Sequence, residues 1–539
     1  MVPVAVLSFP TAFPLRMVER DGVRIRLIGN LHGVAGDPIE VLCAAVLSDG
    51  LLRDAAELRD ALRALHGNFA LIVEDRGGGA LASVDKIKSY PLSYRIDRDD
   101  LRISGDAQAL RMDQDVHNAG AFLEFAMAGY VTNGETLFEG IRQLRGGEFL
   151  VRDRVGRTHV HEYYRFYDPV SSTASPRDAI EELHAVTEGI FRRLIGRLDG
   201  RTALIPLSGG YDSRLVITTL KHLGYDAIRA FSYGIPGNCE AAAARVIAER
   251  LGVPWTFVPY TRAFGRAMYR TDERERYYSF VHQLSVSPTM TDFYAFCDLA
   301  RRHALPRDTV VINGQTGDFI SGGHVPTSLA GAFIDRRMWL DAILAKHHSL
   351  WTQLRTPEHD AEMRERVRRS FVEAIPERME REEAMKRYEE WEWRARQCEL
   401  VIPGQRVYDF FGLPWELPLW DDAYLAFWSR VLFDAKFRQS LYLEYLRTHD
   451  PSGVFQTPFR RYTPPWTVHL LSEALRPFGS TGDAFRRQYL MYWQKYAYFY
   501  AMYPYREYIR FARDHRNPSS CIAREVLERV HGQSLASLG

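Results

Sequence analysis

The sequence predicts two fold classes in one chain: a sheet-rich α+β part, then an α/β part with a parallel sheet and a largely helical end. Three observations predict it. Short strand-like segments crowd the first third of the chain. Apolar strands alternate with helix-like stretches after residue 178. Between the two lies a polar stretch with prolines near both ends, residues 168–177, which reads as a linker. The boundaries expected are 1–167 and 178–539. At 539 residues the chain exceeds one ordinary core, so two domains are expected, or three.

The first part offers strands at residues 4–9, 23–28, 69–74, 79–84, 92–96, 101–104 and 148–151, and helices at 55–65 and 119–127. The second opens with helical periodicity over 179–198, then an apolar strand at 202–207 and a Ser/Gly turn. A helix at 214–223 ends at Gly224, and a strand at 228–231 leads to a helix at 240–251 capped by Gly252. Further strands fall at 255–258 and 309–312. This alternation argues for a parallel sheet covered on both faces. From about residue 339 the pattern is helical; 357–396 is charge-rich and reads as solvated helix. The aromatic run 488–511 reads as packed helical core rather than a ligand platform.

Apolar residues make up 46% and charged residues 25%, which excludes collagen-like, coiled-coil and disordered chains. A net charge of +1 gives no bulk case for nucleic acid, though a local basic groove stays open. No apolar run reaches the roughly 18 residues of a membrane span. The apolar start lacks a basic lead and reads as a strand, not a signal peptide. Five scattered cysteines without a CxxC pair suggest a reducing cytoplasm, no disulfide framework and no zinc cluster.

The chemistry concentrates in Leu207-Ser208-Gly209-Gly210-Tyr211-Asp212-Ser213, between a buried strand and a helix start. The glycines permit close backbone approach, the serines supply hydroxyls, and the helix N-terminus supplies free N–H groups. Asp212 suits a Mg²⁺ ion that bridges phosphates. The bland alternative is a tight turn with a capping serine. No GxxxxGK[ST] motif is present, so transfer of a γ-phosphate is not indicated.

The SGGxDS pattern resembles the PP-loop of the N-type ATP pyrophosphatases, and in detail the synthetase domain of the asparagine synthetase family. Ser232 and Tyr233 lie where that family has its adenine-side segment, and the helix from Glu240 to Gly252 matches the one that follows it. Asn313-Gly314-Gln315-Thr316-Gly317-Asp318, with Gly322-Gly323 behind, looks like its second phosphate and metal loop. Pro418-Leu419-Trp420-Asp421 looks like its Pro-x-x-Asp motif. In the first part, His66 to Ala70, Asp85 and Pro91-Leu92 look like the family's N-terminal domain, so the resemblance implies an Ntn-hydrolase-like sandwich there.

The resemblance implies ATP and Mg²⁺ as cofactors, with the metal on Asp212 and Asp318. It implies nucleotide contacts from Leu207, Ser208, Gly209, Gly210, Ser213, Ser232, Tyr233, Asn313 and Gly314. A substrate carboxylate, on a small molecule or a peptide, would form an acyl-adenylate and pyrophosphate. Ammonia or an amine would then displace AMP. Each loop donor is worth about 3 kcal/mol in such a transition state. Dimers occur in the family, so a homodimer is open.

The chain also departs from the family. Typical members begin, after Met removal, with a cysteine whose α-amine serves as base. This chain begins Met1-Val2-Pro3, and its nearest cysteine is Cys43. Processing that exposes Ser8 or Thr11 would restore that chemistry; otherwise glutaminase activity is lost and ammonia arrives free or from a separate glutaminase. Gln315 replaces a glutamate and cannot act as base, and Phe319 replaces an acid. Ser440 stands where many members carry a lysine, with Lys436 one turn earlier as a substitute or a plain surface lysine. His324 is a candidate proton acceptor near the amine. Thr291 either faces the acyl substrate or caps a helix, and Asp421 either supports the site or bonds to a turn. These departures favour a specialised ligase. An intramolecular cyclase like β-lactam synthetase or lasso-peptide cyclase, a ligase that amidates a sugar carboxylate, and a silent nucleotide-binding protein remain as alternatives. A tRNA-modifying enzyme is disfavoured by the near-neutral charge.

Overall fold

The computed structural model describes residues 4–532 except 11, 34–35, 99, 167–174, 458–465, 484, 487–488, 491–503 and 505–517. The chain is mixed α/β. Its N-terminal part holds two sheets. A six-stranded antiparallel sheet runs in the order Thr158–Glu162, Glu148–Arg152, Ala80–Val84, Gly67–Glu74, Val23–Leu31, Leu15–Arg20. A four-stranded sheet runs Ala5–Val6, Asp100–Ser104, Ser93–Asp97, Ile141–Gln143. Strand periodicity assigns each face of the larger sheet to its own core. Phe69, Leu71 and Val73 pack with Leu42, Leu58 and Leu62 of the helices Pro38–Val46 and Ala55–Ala64. The alternating Ala70 and Ile72 join the core that continues into the C-terminal part.

The C-terminal part is built on a five-stranded parallel sheet: Trp255–Pro259, Ile228–Gly234, Ala203–Pro206, Val310–Ile312, Trp415–Glu416. Parallel order brings the carboxyl ends of all five strands to one edge, where such sheets bind ligands. Residues 207–213 follow the central strand there, and residues 313–318 follow its neighbour.

Several expectations need correction. The strand expected at 4–9 shrinks to Ala5–Val6. The strands Leu15–Arg20, Ile141–Gln143 and Thr158–Glu162 were not expected. Leu15–Arg20 is an edge exposed along its whole length, so it carries no apolar alternation to read. Most of the expected linker lies outside the described residues, and its last two residues open the helix Pro176–Leu198, capped by Ser175. The aromatic run 488–511 falls almost wholly outside the described residues. The stretch 357–396 is not a solvated helix throughout: from Ala384 to Glu392 the helix Arg381–Glu392 is buried. Its charges are tolerated inside because they are paired, Glu389 with Lys436 at 2.8 Å and Glu392 with His324 and Lys346. Among the described residues no helix is long and apolar enough to cross a membrane, and no disulfide joins the five cysteines.

Candidate active site

The loop after the central strand is tied into a tight turn by its own serines. The Ser208 N–H donates to Ser213 Oγ at 3.1 Å, and the Gly210 N–H donates to Ser208 Oγ at 3.0 Å. The helix Tyr211–His222 starts directly behind and has no side-chain cap, so its first N–H groups remain available to a ligand. Two charges hold the loop from outside. Glu240 accepts the Gly209 N–H at 2.6 Å. The buried Arg214 donates to the Gly209 carbonyl at 2.7 Å and to the carbonyls of Val454 and Thr457, both at 3.1 Å.

The second loop crosses in near contact. A Cβ at Gly314 would stand 2.8 Å from the Asp212 backbone, and one at Gly317 would stand 2.6 Å from the Asp212 carboxylate. Glycine is required at both positions by close approach. The approach joins the two acids: the Asp318 N–H donates to Asp212 Oδ2 at 2.9 Å, and the Tyr442 hydroxyl donates to Asp212 Oδ1 at 3.0 Å. His324 Nε2 lies 3.2 Å from Asp318 Oδ2, and its Nδ1 meets the buried Glu392.

Burial, then the charge of Asp318, pushes the Asp212 carboxyl up. Burial acts on Asp318 in the same sense, but the hydrogen bond and charge of His324 outweigh it and hold Asp318 low. Burial lowers His324, yet Glu392 and Asp318 outweigh it and push the imidazole up to about 9. Two adjacent carboxylates, one of them made reluctant to ionise, form a hard-oxygen donor set short of positive charge. That set fits a Mg²⁺ ion, which takes one or two carboxylates and completes its shell with phosphates and water. Among the described residues no group of three or more His, Cys, Asp or Glu is arranged as an all-protein metal cage.

The structure therefore brings Ser208, Gly209, Gly210, Asp212, Ser213, Gly314, Asp318 and His324 together. Leu207, Ser232 and Tyr233 form the wall beside them: the Ser232 hydroxyl donates to the Leu207 carbonyl at 2.6 Å, and the Tyr233 hydroxyl donates to Asp292 at 2.6 Å. Asn313 shapes the second loop, accepting the Gln315 N–H at 3.0 Å and donating to the Tyr408 hydroxyl at 2.8 Å. The Gln315 carboxamide oxygen accepts from Gln405.

Other candidates stand apart. Lys436 Nζ donates to Glu389 at 2.8 Å and to the Trp428 carbonyl at 2.9 Å, so it is neither a surface lysine nor turned to the loop. The Ser440 hydroxyl donates to the carbonyls of Asp434 and Ala435 in the preceding helix, Phe433–Lys436. Thr291 caps nothing; Asp292 holds the N-cap position and accepts from Tyr233 and Tyr408 instead. Asp421 caps the helix Asp422–Ser429 and pairs with Arg193 at 2.8 Å. Cys43 lies in the helix Pro38–Val46, and burial pushes its thiol up. Sequence reasoning gave no role to Glu392, Lys346, Arg214 or Tyr442. Apart from the bond of Arg214 to the Gly209 carbonyl, the partners named above are far along the chain, and no local signal marks them.

Residues 200–451 match the asparagine synthase family. A probable glutamine-hydrolysing asparagine synthetase of Acanthamoeba polyphaga mimivirus is 34% identical over 102 residues, 18% of this chain and 18% of that protein. The match thus spans less than a fifth of that relative's length. Among solved structures, a glutamine phosphoribosylpyrophosphate amidotransferase from B. subtilis, complexed with ADP and GMP, is 13% identical over 56% of this chain and 63% of its own, with a TM-score of 0.19. The structure of the allosteric regulatory enzyme of purine biosynthesis is 11% identical over 45% and 61%, also with a TM-score of 0.19. Superpositions that poor carry no argument. The family match falls on the segment that builds both loops, so residues 200–451 carry the likeness to the asparagine synthase family.

Proposed function

We propose that the chain is an ATP-dependent, AMP-forming amide ligase. It adenylates a substrate carboxylate and transfers the acyl group to ammonia or another amine. The observation that carries this reading is the meeting of Asp212 and Asp318 beside an uncapped helix N-terminus. The loop N–H groups and the hydroxyls of Ser208 and Ser213 would bind the departing pyrophosphate, where its charge develops. Asp212 and Asp318 would hold Mg²⁺, which supplies charge neutralisation when bound. His324, anchored by Glu392, orients the Asp318 carboxylate. The N-terminal part, 1–167, is read as a degenerate glutaminase-like domain of Ntn type, the linker as 168–177, and 178–539 as the PP-loop domain. The position of Cys43 inside a helix supports loss of glutamine hydrolysis, with ammonia supplied free or by a separate protein in the cytoplasm.

Two observations favour a second reading, a silent nucleotide-binding protein: Lys436 is withdrawn onto Glu389, and Gln315 is engaged by Gln405. Pyrophosphate release separates the two. With Mg-ATP, ammonium and a panel of aspartate, sugar acids and peptide acids, the ligase releases pyrophosphate with one acid, and Asp212→Ala abolishes it. ATP binding without release on any acid favours the silent protein.

A further inference from the structure

A second charged cavity lies away from the phosphate loop. Its volume is about 930 Å³, and it opens where the helix Ala55–Ala64 and the strand Thr158–Glu162 face the helix Asp422–Ser429. That volume suits a ligand of drug size. Five cationic side chains line it against three carboxylates. The carboxylates are also committed elsewhere. Glu162 accepts from Arg165 inside the groove and from Arg394 behind it. Asp422 is shared by Lys86 and His66. Glu148 is taken by Arg145 at 2.5 Å.

Arg59 and Arg63 are left over. Their Nε atoms donate to main-chain carbonyls, Glu162 at 3.2 Å and Tyr163 at 3.1 Å. Among the described residues neither is paired with a carboxylate. They stand one helical turn apart on one face, a like-charge arrangement that costs a few tenths of a kcal/mol unless an anion lies between them. With Nε fixed on the backbone, the Nη atoms of each fork remain for a ligand, and guanidinium forks match phosphate and carboxylate in shape. The lip is apolar, with Val160 and Val372 exposed.

We propose that this groove is a second ligand site, for a small organic polyanion carrying two or more phosphate or carboxylate groups. The site does not depend on the ligase reading, since it shares neither loop with it.

The test is isothermal titration of the full chain at low salt with two probes, inorganic pyrophosphate and citrate. At least one probe binds the unaltered chain and Asp212→Ala alike. Binding weakens about tenfold or more in Arg59→Gln/Arg63→Gln, the loss expected of two charge-assisted forks. The better probe tells whether phosphate or carboxylate is preferred. Val160→Glu adds a negative charge at the lip without touching either backbone contact, and weakens binding even if the double variant fails to fold. Equal binding in the unaltered chain and in Val160→Glu overturns the proposal. So does equal binding in a folded double variant, or the absence of binding by both probes.

Discussion

The seam between the N-terminal sheets and the helical C-terminal part is as rich in charge as the phosphate loop, yet the two regions are finished differently. At the seam several buried charges have met their opposites. Lys88 pairs with Glu399, Arg394 with Glu162, and Arg366 with both Glu124 at 2.7 Å and Glu135 at 2.9 Å. At the loop, Asp212 and Asp318 lie against each other, and among the described residues the one cation touching either carboxylate is His324. Asp318 is half exposed, whereas Lys88 and Glu399 are 2% and 4% exposed. A closed pair holds two parts of a chain in register. A carboxylate pair short of charge is a place for something to arrive.

The contrast can be broken in four places. The largest effect is expected at the open centre: Asp318→Asn lowers acid-dependent pyrophosphate release about a hundredfold or more, while the melting temperature stays within a few degrees. A variant that melts much earlier would make Asp318 a structural acid like those at the seam. Next is the closed seam. Lys88→Met strands Glu399 inside and costs about 3–5 kcal/mol in denaturant unfolding, whereas Lys88→Met/Glu399→Leu recovers most of it. A single variant as stable as the parent would show that the seam is not tightly closed.

The third place is His324, whose folded value is raised from 6.5 to about 9. A raised base stabilises the fold fully below its unfolded value and loses that contribution as pH rises through the folded one. The gap in melting temperature between the parent and His324→Gln is therefore widest below about 6.5 and closes above about 9. A gap independent of pH would mean that the imidazole works by shape alone. The smallest effect is at the rim. Arg193→Ala removes a partner of Asp421 at 2.8 Å, but Arg193 is half exposed, so the cost stays below about 1 kcal/mol.

What was legible in the sequence was local. Residues 207–213 could be read because strand, turn, glycines and helix start are consecutive, and each half of the Asp212–Asp318 contact sits in its own recognisable loop. The contact between His324 and Glu392 joins residues 68 apart and could not be read. Worse, the helix holding Glu392 looked solvated, since a run of acids and bases spells a wet surface unless its partners are known. The strand Leu15–Arg20 was lost for the opposite reason: a strand exposed on both faces leaves no pattern. Lys436 shows the limit of counting along a helix. It lies one turn from the expected position, yet the neighbouring Glu389 decides where its charge goes.

Arg214 sets a limit on how this chain can be divided. The family match ends at residue 451, but two of the carbonyls on which this guanidinium rests belong to Val454 and Thr457. A fragment cut at the family boundary would keep every glycine and serine of the loop. It would also leave a buried cation facing absent oxygens, with only the Gly209 carbonyl still in its grasp. The loop's shape is thus on loan from sequence outside its own domain signature. Shuffling or transplanting the domain by that signature would carry the motif across and leave its support behind.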